Sequence, residues 1–293
     1  MKKDSRRFWM YISPWIFGFL AFTLGPMLAS LYLSFTKYDI LTPSKWIGFD
    51  NYIKIFTNDR FWNALGNTFY YTIVGVPLHV ILGLLVSLLL LKNIPGIKLF
   101  RTAFYLPSIF GGVAILLLWN YMLAPGYQGQ NVGLVNAMLN MIGIDGPGWS
   151  SSETWAKPAV ILTKIWGVGG TILIFLPALA SVPKELLEAC DMDGGSVWRK
   201  FFSIVLPTIS PAVLFVATME LIGTLKMFIE PMILPGTNQR WTDSVMVYLY
   251  QNAFENFKMG YASALAWIMF VVILIVTLIN LQLSKKWVYY DSE

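Results

Sequence analysis

The sequence predicts an all-α, polytopic membrane protein with six transmembrane helices and both termini on the cytoplasmic side. Three observations lead there. Of the 293 residues 56% are hydrophobic and only 13% charged, against roughly 25% charged residues in a soluble domain. The mean hydropathy is +0.61. The apolar residues also gather in charge-free runs long enough to cross a hydrocarbon layer, which takes roughly 20 residues of helix. Such a chain finds its solvent in lipid, which excludes a disordered protein, a nucleic-acid binder and an ordinary cytosolic enzyme.

The first span, 8–36, and the second, 61–91, contain no Asp, Glu, Lys or Arg. A third charge-free run, 102–144, is too long for one crossing. Pro125-Gly126 and the polar stretch 128–131 break it into a span over 102–123 and a short interfacial helix over 132–142. The fourth span, 158–182, is interrupted only by Lys164; the fifth, 201–229, holds Glu220 and Lys226; the sixth, 260–284, stops at Lys285-Lys286. The chain, 1–293, reads as a single transmembrane domain.

Orientation follows from the basic residues. With the termini inside, the inner segments collect twelve Lys and Arg and the outer loops eight, spread over more residues. The tight turn 92–101, with Lys92, Lys98 and Arg101 and no acid, votes most strongly. Chemistry is sparse. One cysteine, Cys190, and one histidine, His79, rule out an intrachain disulfide and any multi-cysteine or His-pair metal motif, so no metal site and no catalytic residue is expected. There is no Gly-Lys dipeptide and hence no Walker A phosphate loop; any nucleotide chemistry has to come from a partner.

The loop 183–207 carries the densest pattern. Pro183 suits a first helical turn, and Glu185 complements its positive end. Leu186, Leu187, Ala189 and Cys190 form a small apolar face, with Lys184, Glu188 and Asp191 around the rest. Gly194-Gly195 ends the helix, and a second amphipathic piece carries Trp198, Phe201 and Phe202. Two readings stand: the stripe docks in a groove on a partner, or it lies on lipid headgroups.

Glu188-Ala189-Cys190, followed by Asp193-Gly194 and by Ile204-Val-Leu206-Pro207, resembles the EAA signature of permease subunits of ATP-binding-cassette importers, in the carbohydrate-uptake branch. Pro183, Glu185, Leu186, Trp198 and Phe201 match the same pattern in register. Leu33-Ser-Phe-Thr36, Gly48-Phe-Asp-Asn-Tyr52, Phe61-Trp-Asn-Ala-Leu-Gly-Asn-Thr68, Phe104-Tyr-Leu-Pro107 with Trp119, and Gly260-Tyr-Ala-Ser-Ala264 extend the likeness over nearly the whole chain. Cys190 stands where the pattern has a second alanine, and Leu234-Pro-Gly-Thr-Asn238 lacks the usual Thr-x-Gly-Gly-Pro run.

The resemblance implies the type I importer permease fold and a division of labour. A second permease subunit of different sequence, forming a heterodimer with this one, encloses the other half of the pathway. Two ATPase subunits bind ATP and Mg, and an extracytoplasmic binding protein delivers a sugar or sugar derivative at a bacterial or archaeal cell membrane. It further implies that the loop couples to the ATPase, with Glu185 and Asp193 among its coupling residues and Glu188 making polar contacts on that subunit. Ala189 and Cys190 would pack in its cleft, and Gly194 would shape the turn.

Charges inside the bilayer are expensive, about 2.5–3.5 kcal/mol each on insertion scales, so Lys164 and Glu220 mark a pathway or a pair. Either Glu220, Thr224 and Lys226 line a polar cavity for sugar hydroxyls, or Glu220 pairs with a lysine or with the sister subunit. Trp119, Tyr121, Trp166 and Phe228 are candidates for stacking on sugar rings, though aromatic belts are common at membrane interfaces. His79 reads as a packing or hydrogen-bonding residue, and Gly111-Gly112 and Gly169-Gly170 as close helix crossings. The alternative function is an ion-gradient-driven carrier with Glu220 as its proton site. An intramembrane enzyme is set aside, because neither H-E-x-x-H nor G-x-S-x-G occurs.

Overall fold

A computed structural model describes residues 2–92, 95–110, 112–124, 133–234 and 238–289. Gly111, the Pro125-Gly126 break with the stretch 128–131, and Pro235–Thr237 of the outer segment lie outside the described residues.

The chain is helical almost throughout. α1 (Lys2–Phe19), a π-helical turn (Leu20–Leu24) and α2 (Gly25–Ser34) run as one helix into a small hairpin, β1 (Thr36–Lys37) and β2 (Lys45–Trp46). α3 (Asp50–Phe56) follows. Then α4 (Asp59–Tyr70), a π turn (Tyr71–Gly75) and α5 (Val76–Leu91) form a second long helix. Next come α6 (Ile97–Ile109), α7 (Val113–Met122), α8 (Leu134–Met141), α9 (Glu153–Ile165) and α10 (Gly169–Ala180). The loop helix α11 (Lys184–Met192) precedes α12 (Val197–Lys200), a π turn (Phe201–Val205), α13 (Leu206–Thr208), α14 (Ser210–Leu225) and α15 (Ile229–Ile233). α16 (Val245–Tyr250), a π turn (Gln251–Glu255) and α17 (Met259–Ser284) complete it.

Four helices, Phe8–Ser34, Asp59–Leu91, Ser210–Ile233 and Met259–Ser284, are long and apolar enough to cross a membrane singly. The runs read as single spans over 102–123 and 158–182 are instead two helices each: α6 with α7, and α9 with α10, the latter pair bent by 52°. Counting each bent pair as one crossing gives six. Gly112 adopts φ +63 with nothing within 4 Å of a β-carbon there, so it serves the break between α6 and α7 and no helix crossing. Gly169 does serve a close crossing: a β-carbon would fall 2.6 Å from the carbonyl oxygen of Phe104 on α6. Gly170 faces open space.

The chain groups into two compact units. The first is Met1–Trp62 with Tyr248–Val272. Here the Asn51 side-chain amide donates to the carbonyls of Ser34 and Thr36, both at 2.9 Å, and Phe35 packs against Trp46, Phe49 and Tyr52. The start of α17 is tied to the hairpin by the Gly260 amide, which donates to Tyr38 O at 3.1 Å. None of the most apolar window of Phe8–Ser34 is buried. Trp15, Phe17 and Phe22 on that helix stand open, which calls for lipid or another chain as their cover.

The second unit is Asn63–Val247 with Ile273–Glu293. Its centre is the packing of α5 on α10. Gly83 lets the two backbones approach, since a β-carbon there would lie 2.5 Å from the Thr171 methyl. Leu84, Phe175, Leu179, Ile209 and Val216 form a buried cluster around that contact. Fully buried Tyr71 donates its hydroxyl to Thr242 O at 2.9 Å, and the Asn67 amide donates to the carbonyls of Arg240 and Asp243 at 3.0 Å each. Polar side chains therefore pin the irregular segment before α16 to the second long helix, as a non-helical backbone away from water requires.

Candidate functional site

The loop helix is built from its capping chemistry. Pro183, in extended conformation, precedes α11, and Glu185 sits in its first turn. At the other end Gly194 takes φ +71, its amide donates to Asp191 O at 3.0 Å, and the Gly195 amide donates to Cys190 O at 2.8 Å. This pair of bonds is a Schellman motif, and it explains both glycines. Gly194 needs the left-handed region, while a β-carbon on Gly195 would collide with the Cys190 sulfur. Asp191 pairs with Lys200, and the Ser196 hydroxyl accepts the Arg199 amide at 3.2 Å, which fixes the turn into α12.

No residue of α11 is buried. The apolar face expected from Leu186, Leu187, Ala189 and Cys190 divides. Leu187 turns inward onto the cluster around Leu179, Val182 and Ile209, and Cys190 lies half-buried against Gly195. Leu186 stays half open, and Ala189, Glu185, Glu188 and Asp193 are exposed. Leu187 thus anchors the helix to the helical body, and the remaining side presents Leu186, Ala189, Met192 and several acids to whatever lies outside. Trp198 is exposed too, stacked on Phe202 at 6.0 Å.

A second polar site lies among the helices of the second unit. Lys164 near the end of α9 reaches α14: its Nζ is 3.0 Å from Glu220 Oε2 and donates to the Thr224 hydroxyl. Thr224 Oγ1 in turn donates to Glu220 O at 2.7 Å, one turn back. From α5, His79 Nε2 lies 3.4 Å from Glu220 Oε1 and 3.0 Å from Thr171 Oγ1 of α10. Four helices therefore meet through one charged cluster. A lysine and a glutamate in hydrocarbon compensate each other only when paired and further hydrogen-bonded, and both conditions are met.

The cluster borders a cavity of about 420 Å³, lined by Lys164, Glu220, Lys226, Phe228 and Glu230. Glu220 is thus paired with Lys164 and also borders this cavity. Thr224 is fully buried behind the wall and holds Lys164 in place. The aromatic candidates do not join this site, Phe228 excepted. Trp119 and Trp166 meet edge to face at 5.9 Å and line a separate, mostly apolar cavity of about 440 Å³ with Phe104, Pro107 and Ile165. Tyr121 is 78% exposed and lines neither. Sequence reasoning missed Thr171 and Glu230. Thr171 carried no signal without the α5–α10 contact, and Glu230 returns to the cavity only because the chain turns between α14 and α15. Among the described residues no three His, Cys, Asp or Glu side chains come together as metal ligands would.

Residues 55–289 match the family described as "Binding-protein-dependent transport system inner membrane component". The chain is similar over its full length to the probable ABC transporter permease protein YesP of Bacillus subtilis, 40% identical across 95% of that protein. It is also similar to the arabinooligosaccharides transport system permease protein AraP of the same species, 31% identical over 94% of this chain and 88% of the relative. Among solved structures it matches a chain of a bacterial alginate ABC transporter in complex with an alginate pentasaccharide-bound periplasmic protein. That match has a TM-score of 0.84 and 25% identity, over 98% of this chain and 97% of the other.

Proposed function

The chain belongs to the binding-protein-dependent transport system inner membrane components, and on that premise we propose that it is the permease subunit through which an ATP-driven importer passes a sugar. Relatives named for transport of starch degradation products, of arabinooligosaccharides and of multiple sugars support the cargo class. With each bent pair counted as one crossing, the chain spans the cell membrane of a bacterium or archaeon six times with both termini in the cytoplasm. The uncovered aromatic face of Phe8–Ser34 supports a sister permease as the second half of the pathway.

The observation that carries the reading is α11: an exposed helix, closed at its C-terminal end by Gly194-Gly195 and rooted by Leu187, whose outer side has no cover among the described residues. Glu185, Glu188 and Asp193 contact an ATPase subunit while Ala189 and Cys190 pack toward its cleft, and two such ATPases hold ATP and Mg. When they close, α11 is pushed as a lever. Because Leu187 belongs to the cluster that includes Leu179, Ile209 and Val216, its displacement is passed to α10 and α14. Those are the helices that carry Thr171 and Glu220. A binding protein delivers cargo from outside, and Lys164, Glu220, Lys226 and Phe228 line its way. The ion-gradient alternative rested on a lone intramembrane carboxylate; Glu220 is instead partnered by Lys164 at 3.0 Å.

The test is charge reversal on the lever. In vesicles holding the complete complex, Glu188→Lys is expected to release the ATPase subunits on purification and to abolish ATP-dependent uptake. Retained assembly with undiminished uptake refutes the coupling role.

A further inference from the structure

The first compact unit bounds a cavity of about 640 Å³ between the hairpin, α3 and the segment 248–261. It is far from apolar. Its wall includes Lys37, Lys54 and Lys258 as cations, with Asp39 as the one acid. Lys54 is answered by Asp50 at 2.6 Å. Lys37 and Lys258 make no ion pair among the described residues. Asp39 is turned into its own loop, where its Oδ1 accepts from the Thr42 hydroxyl at 2.6 Å and the Thr42 amide at 2.9 Å. Those bonds, the hydroxyl first, hold its carboxyl below the usual carboxylate range.

The floor supplies fixed acceptors. Buried Asn51 commits its N–H groups to the carbonyls of Ser34 and Thr36, and buried Asn252 commits one to Tyr248 O at 2.8 Å, so their amide oxygens are left to accept from a ligand. Tyr248 and Tyr261 join hydroxyl to hydroxyl at 2.9 Å, and the Arg60 guanidinium lies over the Tyr248 ring at 5.2 Å, which fixes that ring from behind. Rigid acceptors and phenols suit a polyhydroxyl ligand; the ammonium groups of Lys37, which also acts on Asp39, and of Lys258 suit a negative charge on it.

We propose that this cavity is a binding site for a saccharide bearing a carboxylate, a uronic-acid sugar, held by Lys37 and Lys258 through its acid group and by Asn51, Asn252 and Tyr261 through its hydroxyls. The proposal rests on the importer reading only for placing the cavity on the side from which cargo arrives.

The experiment uses the full chain in nanodiscs, without ATPase or binding protein, titrated with trigalacturonate and with its methyl ester. The acid is expected to bind saturably and at least tenfold more tightly than the ester, with the difference shrinking between 0.15 and 0.5 M salt. Lys37→Gln with Lys258→Gln is expected to remove the preference while leaving ester binding and the melting temperature unchanged. Equal affinity for acid and ester, or full acid binding by the double variant, overturns the proposal. Nanodiscs with and without phosphatidylglycerol separate the other source of anionic hydroxylated ligand: acid binding that vanishes when that lipid is present assigns the cavity to a headgroup and also overturns it. ATP-driven uptake with no binding here removes this site and leaves the importer standing; binding here with no ATP-driven uptake does the reverse.

Discussion

Lys164 of α9 and Glu220 of α14 meet at 3.0 Å, with Thr224 receiving the lysine from below and His79 flanking the other carboxylate oxygen at 3.4 Å. Both side chains of the pair are largely buried, so removing one partner strands the other. Glu220→Gln or Lys164→Met alone is expected to destabilise the protein by about 3–5 kcal/mol, whereas Lys164→Met with Glu220→Leu recovers most of that loss. Thermal unfolding of the four proteins in detergent checks the cycle, and equal losses in single and double variants contradict it. Uptake distinguishes the cluster's second role: the double variant, though stable, is expected to transport at least tenfold more slowly.

Neighbouring glycines on α10 make a controlled pair. Gly169→Ala drives a methyl toward the Phe104 carbonyl at 2.6 Å, an overpacking expected to destabilise by about 1–3 kcal/mol. Gly170→Ala meets nothing within 4 Å and gains helix propensity, for a stabilisation of about 0.5–1 kcal/mol. Opposite shifts in Tm are expected; equal shifts would remove the close crossing between α6 and α10.

Gly194 separates backbone strain from side-chain chemistry at the end of α11. At φ +71, Gly194→Val is expected to cost about 1–2 kcal/mol locally and to lower the fraction of ATPase subunits retained, while Gly194→Asn is tolerated. Retention equal in the two variants would mean that the turn does not set the helix's aim.

Sidedness is open to a chemical label because Cys190 is the sole cysteine. In a Cys190→Ser background, Lys37→Cys is expected to react with a membrane-impermeant maleimide added to intact cells, and Met192→Cys only after lysis. The opposite pattern inverts the topology.

The sequence displayed its helices where lipid imposes them: uninterrupted apolar runs at 61–91 and 260–284 correspond to Asp59–Leu91 and Met259–Ser284. It concealed the breaks at 110–112 and 166–168, because hydropathy counts residues and ignores direction. The loop helix was legible through Pro183, Glu185 and Gly194-Gly195, since capping is local chemistry. Its division into an anchoring Leu187 and an open remainder was not, because that depends on Ile209 and Leu179, distant along the chain. Glu220 and Lys164 stood out as costly charges; their mutual pairing needed α9 and α14 side by side. Trp119 and Tyr121 looked alike in sequence, yet one is buried and the other exposed, since ring chemistry alone says nothing of facing.

The wide turns at Leu20–Leu24, Tyr71–Gly75 and Phe201–Val205 each run into a helix with proline at its first or second position: Pro26, Pro77 and Pro207. A proline ring pushes away the carbonyl four residues earlier, and one surplus residue in the preceding turn absorbs that push without opening the backbone to oil. Each such turn therefore holds one residue more than an α-helical turn. A helix that already holds a spare residue can hand it along its axis, rotating the side chains beyond it by roughly a quarter turn while every amide stays paired. Stroke can thereby be generated within the rods themselves, with no joint exposed to the bilayer.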